Sequence, residues 1–213
     1  VDHDAVVIAT PPATHVELAL SFLKSGKKVL IEKPLATSVE EATKLYPYRN
    51  QIMVGHIYMH NPHLDVLKKY VSEVPVNHAF ARRTNDGPKR PWQDAMWDLA
   101  PHDISIFNWL FGKPISYGGT FERDWAMLRI DYIGGIPAII YVSWLGAPKI
   151  RQIELVPAEG WPDRERFVYD DVGATYNITP LRRMLNAWLA GDYSRCTYDD
   201  GLGVIKVLEG IGI

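Results

Sequence analysis

Three short apolar runs alternate with amphipathic stretches along the first quarter of the chain. The runs cover residues 5–9, 28–31 and 52–54, and their β-branched side chains predict strands that are buried on both faces. The stretches between the runs carry apolar residues at helical spacing and predict helices. Strands that are joined through such helices are parallel, so this part of the sequence predicts a parallel sheet.

Capping boxes mark the predicted starts of the two helices. Thr14 is followed three residues later by Glu17, and Ser38 by Glu41, a spacing at which the two side chains satisfy the first main-chain N–H groups. Gly26 is expected to close the first helix, because glycine readily adopts the left-handed conformation that ends helices.

The pattern changes after residue 56, where most of the predicted elements are strands that follow one another closely. Gly134-Gly135 separates two of these runs, which is typical of a hairpin and predicts a mostly antiparallel sheet. The predicted strands are 76–84, 128–132, 136–144, 150–156 and 166–170. One helix is predicted over 101–110 and a last helix from near Asp200. Between them, an amphipathic helix that Gly191 closes is marked by Leu181, Met184, Leu185, Trp188 and Leu189.

Composition and charge narrow the class of partner. The 213 residues are 47% hydrophobic and 23% charged, fractions that are typical of globular proteins. A formal net charge of -2 provides no general attraction for nucleic acid or an anionic membrane surface. The longest apolar stretch, around 136–145, is much shorter than the roughly 20 residues of a membrane helix. We therefore expect a small-molecule partner, and neither nucleic acid nor a membrane.

The single cysteine, Cys196, cannot form an internal disulfide, and this suits a reducing compartment. We expect a cytoplasmic protein on that ground. The sequence has no cysteine pair or cluster that could hold a structural zinc ion, so no metal site is predicted.

Polar residues follow each of the three predicted parallel strands. Ligands of open parallel sheets bind beyond the carboxyl ends of the strands, so these residues are candidates for a binding site. A Pro-rich turn or a Glu-Lys pair can also simply end a strand, and for each group alone the two interpretations carry equal weight. Their coincidence favours a site. The groups are Thr10-Pro11-Pro12 with His15, Glu32-Lys33-Pro34, and Gly55-His56.

Asp98 and His102 stand four residues apart, ahead of an apolar run. If a helix begins at or before Asp98, this spacing places both side chains on one face, where they can share a substrate. Alternatively, Asp98 caps a helix that begins near Pro101, while His102 is a partly buried histidine with satisfied hydrogen bonds. The residues alone favour the second interpretation.

Taken together and in this order, these motifs resemble the Gfo/Idh/MocA family, named after glucose-fructose oxidoreductase, inositol dehydrogenase and rhizopine catabolism. The resemblance implies an α/β protein in which a Rossmann-type parallel sheet is followed by an α+β domain with an open, mostly antiparallel sheet. We expect the first domain over residues 1–56, and the second over 57–213, with the last helix able to pack back on the first. The motifs are residues 9–15, 32–34, 54–56 with Asn61-Pro62, 98–103, Pro180-Leu181 and 199–202.

The resemblance also implies an oxidoreductase that transfers a hydride between NAD or NADP and a secondary alcohol of a sugar, cyclitol or nucleotide-sugar. Lys33 would bridge cofactor and substrate, Asp98 would hold a substrate hydroxyl, and His102 would serve as general acid or base. A histidine suits that task, because imidazole exchanges protons near neutral pH. The residues expected to line the nicotinamide and its ribose are Thr10, Pro11, Pro12, His15, Glu32 and Lys33.

Some features depart from the family pattern or concern the substrate. No Gly-x-Gly-x-x-Gly turn precedes a predicted strand, so the choice between NAD and NADP stays open, and we infer that the sequence is incomplete at its N-terminus. The stretch 55–62 differs from many relatives, which carry Arg-Phe ahead of Asn-Pro, and Tyr58 in this stretch is a candidate substrate-binding residue. Arg83, after Arg82, is a candidate receptor for a phosphate or carboxylate, although an exposed basic loop explains it equally well. Trp97 either contacts substrate or packs beside Asp98.

Two other functions compete with a dehydrogenase. One is a non-catalytic relative that keeps the fold as a sugar-binding or regulatory module. The other is a structural oligomer whose open sheet pairs subunits. The resemblance implies a homo-oligomer, which is a dimer or tetramer assembled through that sheet.

Overall fold

A computed structural model describes residues 4–87, 89, 91–145, 148–160, 167–170 and 176–212. The chain divides into two compact units, one formed by Val1–Asn61 with Ile178–Glu209 and the other by Pro62–Asn177 with Gly210–Ile213. The first unit therefore extends beyond residue 56 and also includes a segment near the C-terminus. Every helix in the described part of the chain is too short or too polar to cross a membrane.

The secondary structure alternates between helices and strands at first and is then dominated by strands. In chain order the elements are β1 (Ala5–Ile8), α1 (His15–Leu23), β2 (Lys28–Glu32), α2 (Val39–Thr43), β3 (Ile52–Gly55), α3 (His63–Glu73), β4 (Val76–Thr84), α4 (Ala95–Phe111), β5 (Pro114–Glu122), β6 (Trp125–Tyr132), β7 (Ile136–Ser143), β8 (Ile150–Pro157), β9 (Phe167–Asp170), α5 (Pro180–Ala190) and α6 (Tyr198–Ile211).

The first unit contains a parallel sheet in the order β1-β2-β3, as the sequence predicts. The central strand β2 is buried over Val29, Leu30 and Ile31, and all of β3 is buried. β1 differs from the prediction, since Val7 is 48% exposed. Within the described residues, β1 has a neighbouring strand, β2, on one side only.

The two predicted capping boxes have different outcomes. The Ser38 side chain accepts a hydrogen bond from the Glu41 main-chain N–H and caps α2 as predicted. The prediction for Thr14 is wrong: a 3-10 turn over Pro12–Thr14 precedes α1, and the Thr14 hydroxyl donates to the Pro11 carbonyl oxygen instead. Its backbone is helical rather than extended, so the hydroxyl cannot reach the N–H groups of the first turn.

Helix α5 ends as predicted, at Gly191, which adopts the left-handed conformation with φ of 78°. Its buried face is carried by Met184 and Trp188. The predicted contribution of Leu181 to a buried stripe is wrong, because Leu181 is 47% exposed and Leu189 is 68% exposed. Only part of the apolar stripe faces the interior of the first unit.

The segment after α5 runs along β3. Thr197 forms an antiparallel bridge with Met53, and the main-chain N–H of Val54 donates to the carbonyl oxygen of Cys196 at 2.8 Å. Helix α6 begins at Tyr198, directly after this bridge. The chain thereby returns to the parallel sheet of the first unit from a distant part of the sequence.

The second unit is built on a six-stranded sheet in the order β5-β6-β7-β4-β8-β9. All neighbouring strands are antiparallel except β4 and β7, which are parallel. The sequence predicts four of the five longest strands but not β5, in which almost every side chain is exposed and no apolar alternation marks a buried face. Helix α4 packs on one face of this sheet, against β6 and β7.

Helix α4 starts six residues before the predicted position. The Asp94 side chain accepts a hydrogen bond from the Trp97 main-chain N–H at 2.8 Å, so Asp94 is the N-terminal cap and the helix begins at Ala95. Pro101 lies inside the helix rather than at its start. The alternative in which Asp98 caps the helix is therefore wrong, and Asp98 and His102 both belong to α4.

Gly201 permits the close approach of α6 to the end of β3. A Cβ atom at this position would lie 2.7 Å from Cγ2 of Val54 and 3.2 Å from Cδ2 of Leu35, distances at which packed side chains must move. We expect Gly201→Ala to lower the free energy of unfolding by about 1–3 kcal/mol through overpacking. Urea denaturation measures this change.

Gly118→Ala is the matched control, since no atom lies within 4 Å of the added Cβ in that exposed strand. It should leave the unfolding free energy unchanged or slightly higher. Equal stability of the Gly201→Ala and wild-type proteins would contradict the packing described for α6.

Candidate active site

The candidate residues of the first unit gather at one edge of the parallel sheet. The register pairs Ile8 with Ile31 and Glu32 with Gly55, so β1, β2 and β3 end side by side. The residues that follow these strands therefore lie along the same edge, as predicted from the sequence. This edge carries the groups Thr10-Pro11-Pro12, Glu32-Lys33-Pro34 and Gly55-His56.

His15 joins the first two of these turns. Its ring is fully buried, with Nδ1 2.9 Å from the Pro34 carbonyl oxygen and Nε2 2.9 Å from the Thr10 carbonyl oxygen. His15 thus acts as a clamp between the turns, and its predicted contact with a cofactor stays a prediction.

Glu32 lies over the end of β3. Its Oε2 atom accepts a hydrogen bond from the Lys33 main-chain N–H at 3.2 Å. Burial raises the pKa of Glu32, while the N–H of Lys33 and the charges of Lys33 and His15 act in the opposite direction. A Cβ atom on Gly55 would lie 3.0 Å from both the Cα and Oε2 atoms of Glu32, so glycine leaves the space that this carboxyl group occupies.

His56 is also deeply buried at this edge, with 1% of its surface exposed. Neither ring nitrogen has a hydrogen-bond partner among the described residues. Burial, and after it the positive charge of Lys33, lowers the pKa of His56 to about 3, so the ring is neutral at physiological pH. Two unsatisfied nitrogens beside a lysine are an arrangement that a polar ligand group can complete.

A second buried group supports the end of β3 and was not predicted from the sequence. The Cys196 sulfur lies 3.6 Å from Nε2 of His60 and 3.6 Å from the carbonyl oxygen of His56. Burial, and then the charge of Arg195, lowers the pKa of His60 to about 4. Burial raises the pKa of the Cys196 thiol, which is therefore a structural group rather than a nucleophile.

In the second unit, Asp98 and His102 lie one turn apart on α4, as the spacing predicts. His102 is 9% exposed. The indole N–H of Trp144 donates a hydrogen bond to Oδ2 of Asp98, with an Nε1–Oδ2 distance of 3.2 Å. Trp144 follows β7 and is 46 residues from Asp98 in sequence, so no local pattern reveals the contact.

Arg83 is buried rather than part of an exposed basic loop. Its guanidinium group donates from Nε to Oδ2 of Asp103 at 2.9 Å and from Nη2 to Oδ1 at 2.7 Å. This bidentate ion pair joins β4 to α4 directly after His102. The predicted contact of Arg83 with a substrate anion stays a prediction, and the neighbouring Arg82 is exposed.

The remaining predicted substrate residues lie in different units. Tyr58 is half-buried in a 3-10 turn over Ile57–His60 of the first unit. Trp97 is half-buried in the first turn of α4 in the second unit, one residue before Asp98. Among the described residues, no group of three or more histidine, cysteine, aspartate or glutamate side chains is arranged to hold a metal ion.

Comparison with known proteins identifies similar sequences and folds. The Gfo/Idh/MocA family model, described as an oxidoreductase family with an NAD-binding Rossmann fold, matches residues 1–55. A 4-carboxy-2-hydroxymuconate-6-semialdehyde dehydrogenase from a Sphingobium species is 33% identical over 53% of this chain and 40% of its own length. The levoglucosan dehydrogenase of Pseudarthrobacter phenanthrenivorans is 30% identical over 70% of this chain and 43% of its own length. The chain thus spans less than half the length of these relatives.

A solved structure supports the fold over nearly the whole chain. The UDP-N-acetylglucosamine 3-dehydrogenase GnnA of Acidithiobacillus ferrooxidans superimposes with a TM-score of 0.81 over 98% of this chain and 77% of its own. The two sequences are 23% identical. This likeness concerns the fold, including both the parallel and the mostly antiparallel sheet.

The two buried histidines make stability depend on pH. Their folded-state pKa values, about 3 for His56 and about 4 for His60, lie below the ordinary value of 6.5. At a pH between the folded-state and unfolded-state pKa values, the unfolded chain binds more protons than the folded protein. The contribution of these histidines to stability is therefore fully present above pH 6.5 and is lost as the pH falls. From pH 7 to pH 5 we expect a loss of about 2 kcal/mol per histidine.

Urea denaturation at the two pH values measures the loss, and His60→Gln should reduce it by about half because one of the two buried rings no longer titrates. A pH dependence that is the same in the wild type and in His60→Gln would show that His60 is not held neutral by burial.

Proposed function

Because the chain belongs to the Gfo/Idh/MocA family of oxidoreductases with an NAD-binding Rossmann fold, we propose that the full-length protein is an NAD- or NADP-dependent dehydrogenase. Its substrate is a secondary alcohol of a sugar-like compound. The observation that supports this most directly is the pair Asp98 and His102, which lie one turn apart on α4.

The edge of the parallel sheet fits the nicotinamide end of the cofactor. The Thr10 hydroxyl is exposed, Lys33 supplies an ammonium group, and the buried nitrogens of His56 lack partners among the described residues. We propose that Thr10, Pro11, Pro12, Glu32 and Lys33 hold that end of the molecule. When bound, the nicotinamide supplies the acceptor for the hydride that leaves the substrate carbon.

Residues of the chain itself accept the hydroxyl proton of the substrate and stabilise the negative charge that develops on its oxygen. Hydride leaves a carbon readily only as the proton of its hydroxyl group leaves, and the His102 imidazole is the base that takes this proton. The positive charge of Lys33 stabilises the negative charge that develops on the oxygen. Asp98 accepts a hydrogen bond from a neighbouring substrate hydroxyl and fixes the orientation of the ring.

Sugars and cyclitols come before nucleotide-sugars as candidate substrates. Two basic residues near the end of β4 have acidic partners, Arg83 in the ion pair with Asp103 and Lys89 at 3.3 Å from the Asp124 carboxylate, while Arg82 is exposed. The levoglucosan dehydrogenase relative is named for an anhydrosugar. A screen of sugars and cyclitols is therefore the first choice, with nucleotide-sugars second.

Lys33→Ala and His102→Ala in the full-length protein should each lower turnover by about 100- to 10,000-fold, because each removes a group that acts on the reacting alcohol. Reduction of NAD or NADP by a panel of sugars and cyclitols, followed at 340 nm, measures the change. Circular dichroism and thermal melting should match the wild type.

The matched control is Lys24→Ala, which removes an exposed lysine at the end of α1 and should leave turnover unchanged. If Lys33→Ala or His102→Ala unfolds instead of losing turnover, or retains full turnover, the assignment of that residue is wrong.

We also propose that the open face of the six-stranded sheet joins subunits into a homo-oligomer. Helix α4 covers the face that buries Leu128 and Ile130, and the opposite face carries apolar side chains on neighbouring strands. Met127 is 49% exposed there, and it pairs in register with Tyr141 of β7. An apolar face of this kind is a typical site of self-association.

Met127→Asp should shift the full-length protein toward monomer, because it places a charge in the proposed interface. Light scattering after gel filtration measures the mass. Ile133→Asp, a change of a 68% exposed residue in the turn between β6 and β7, is the control that should leave the mass unchanged. A wild-type protein that is monomeric at micromolar concentration would rule the interface out.

A further inference from the structure

Trp144 is a buried residue with a directional contact to the proposed site. It lies directly after β7 with 1% of its surface exposed, and its main-chain N–H donates to the Asp124 carbonyl oxygen at 2.8 Å. The ring is therefore held in place by the backbone and by packing. From this fixed position its indole N–H donates to Oδ2 of Asp98 at 3.2 Å.

The bond from Trp144 also affects the electrostatic surroundings of Asp98. An indole N–H can only donate, so Oδ2 of Asp98 is the acceptor of this bond. Asp94, the N-terminal cap of α4, lies four residues before Asp98, and the negative charge of Asp98 contributes to the raised pKa of Asp94, after the effect of burial. The two carboxylates repel each other, and the Trp144 donor gives Asp98 a compensating partner.

Burial of a tryptophan does not by itself bring its N–H to an acceptor. Trp188 in α5 is 5% exposed, and its Nε1 atom has no hydrogen-bond partner among the described residues. The bond from Trp144 to Asp98 is therefore a specific feature of the second unit. It reaches one of the residues to which the proposed function assigns substrate binding.

We infer that Trp144 is a positioning residue, which holds the Asp98 carboxylate in the orientation that accepts the substrate hydroxyl. This inference rests on the proposed function. Trp144 acts through Asp98 and does not itself touch the reacting atoms. The bond from the indole holds Oδ2 of the carboxylate and thereby fixes the orientation of the whole group.

The test is a double-mutant cycle on the full-length protein. Trp144→Phe keeps an aromatic ring and removes the N–H, and it should lower kcat/KM by about 10- to 100-fold, the range expected for a hydrogen bond to a charged group. In an Asp98→Ala background the same substitution should change kcat/KM less than about twofold, because the acceptor is already gone. NADH binding should be unchanged in all four proteins.

Trp188→Phe is the matched control, since it removes a buried indole N–H that has no described acceptor, and it should leave kcat/KM unchanged. A readout that does not depend on activity is the indole signal of Trp144 in ¹⁵N-labelled protein, which should move in Asp98→Asn and remain in place in Trp188→Phe. If Trp144→Phe does not fold, 3-benzothienylalanine at position 144 replaces the N–H by sulfur at nearly constant volume and takes its place in the cycle.

The outcomes separate this inference from the proposed function. Equal losses from Trp144→Phe with and without Asp98 would make Trp144 a packing residue only and overturn the inference. Wild-type activity in Trp144→Phe would do the same. If the full-length protein binds NADH and Asp98→Ala retains its turnover, Asp98 is not part of the proposed site. The inference about Trp144 is then overturned as well. The indole signal still shows in that case whether the bond from Trp144 to Asp98 exists.

Discussion

The parallel register of β1, β2 and β3 is the constraint on which the candidate site of the first unit depends. Because the three strands run the same way and end side by side, residues far apart in sequence share one edge of the sheet. His15 locks two of the turns at this edge through hydrogen bonds to Thr10 and Pro34, and Gly55 leaves the space that Glu32 fills. This register places Lys33 beside the turns that follow β1 and β3.

In the second unit the corresponding constraint is the placement of α4 on the sheet. The Asp94 cap fixes where the helix begins, and the buried pair of Arg83 with Asp103 fixes it to β4. Removing one partner of such a pair leaves a buried charge uncompensated and costs about 3–5 kcal/mol. His102 directly precedes Asp103 in α4, so this ion pair lies one residue from the proposed base.

The sequence predicts those features that local periodicity determines. The strands β2, β3 and β4 lie within a residue or two of their predicted positions, and the four-residue spacing of Asp98 and His102 does place them on one helix. Contacts between distant residues are not encoded in a local pattern, so the sequence does not reveal the ion pair of Arg83 with Asp103 or the bond from Trp144 to Asp98. Strand β5 escapes prediction for another reason: nearly all of its side chains are exposed, so no apolar alternation marks it.

The central claim is that the full-length protein binds a nicotinamide cofactor through this edge of the sheet. The most direct measurement is a fluorescence titration of the full-length gene product with NADH and with NADPH. The full-length protein should bind at least one of them saturably, with a dissociation constant in the micromolar range, on the order of ordinary KM values. A well-folded full-length protein that binds neither would contradict cofactor binding at this edge and favour a non-catalytic role for the fold.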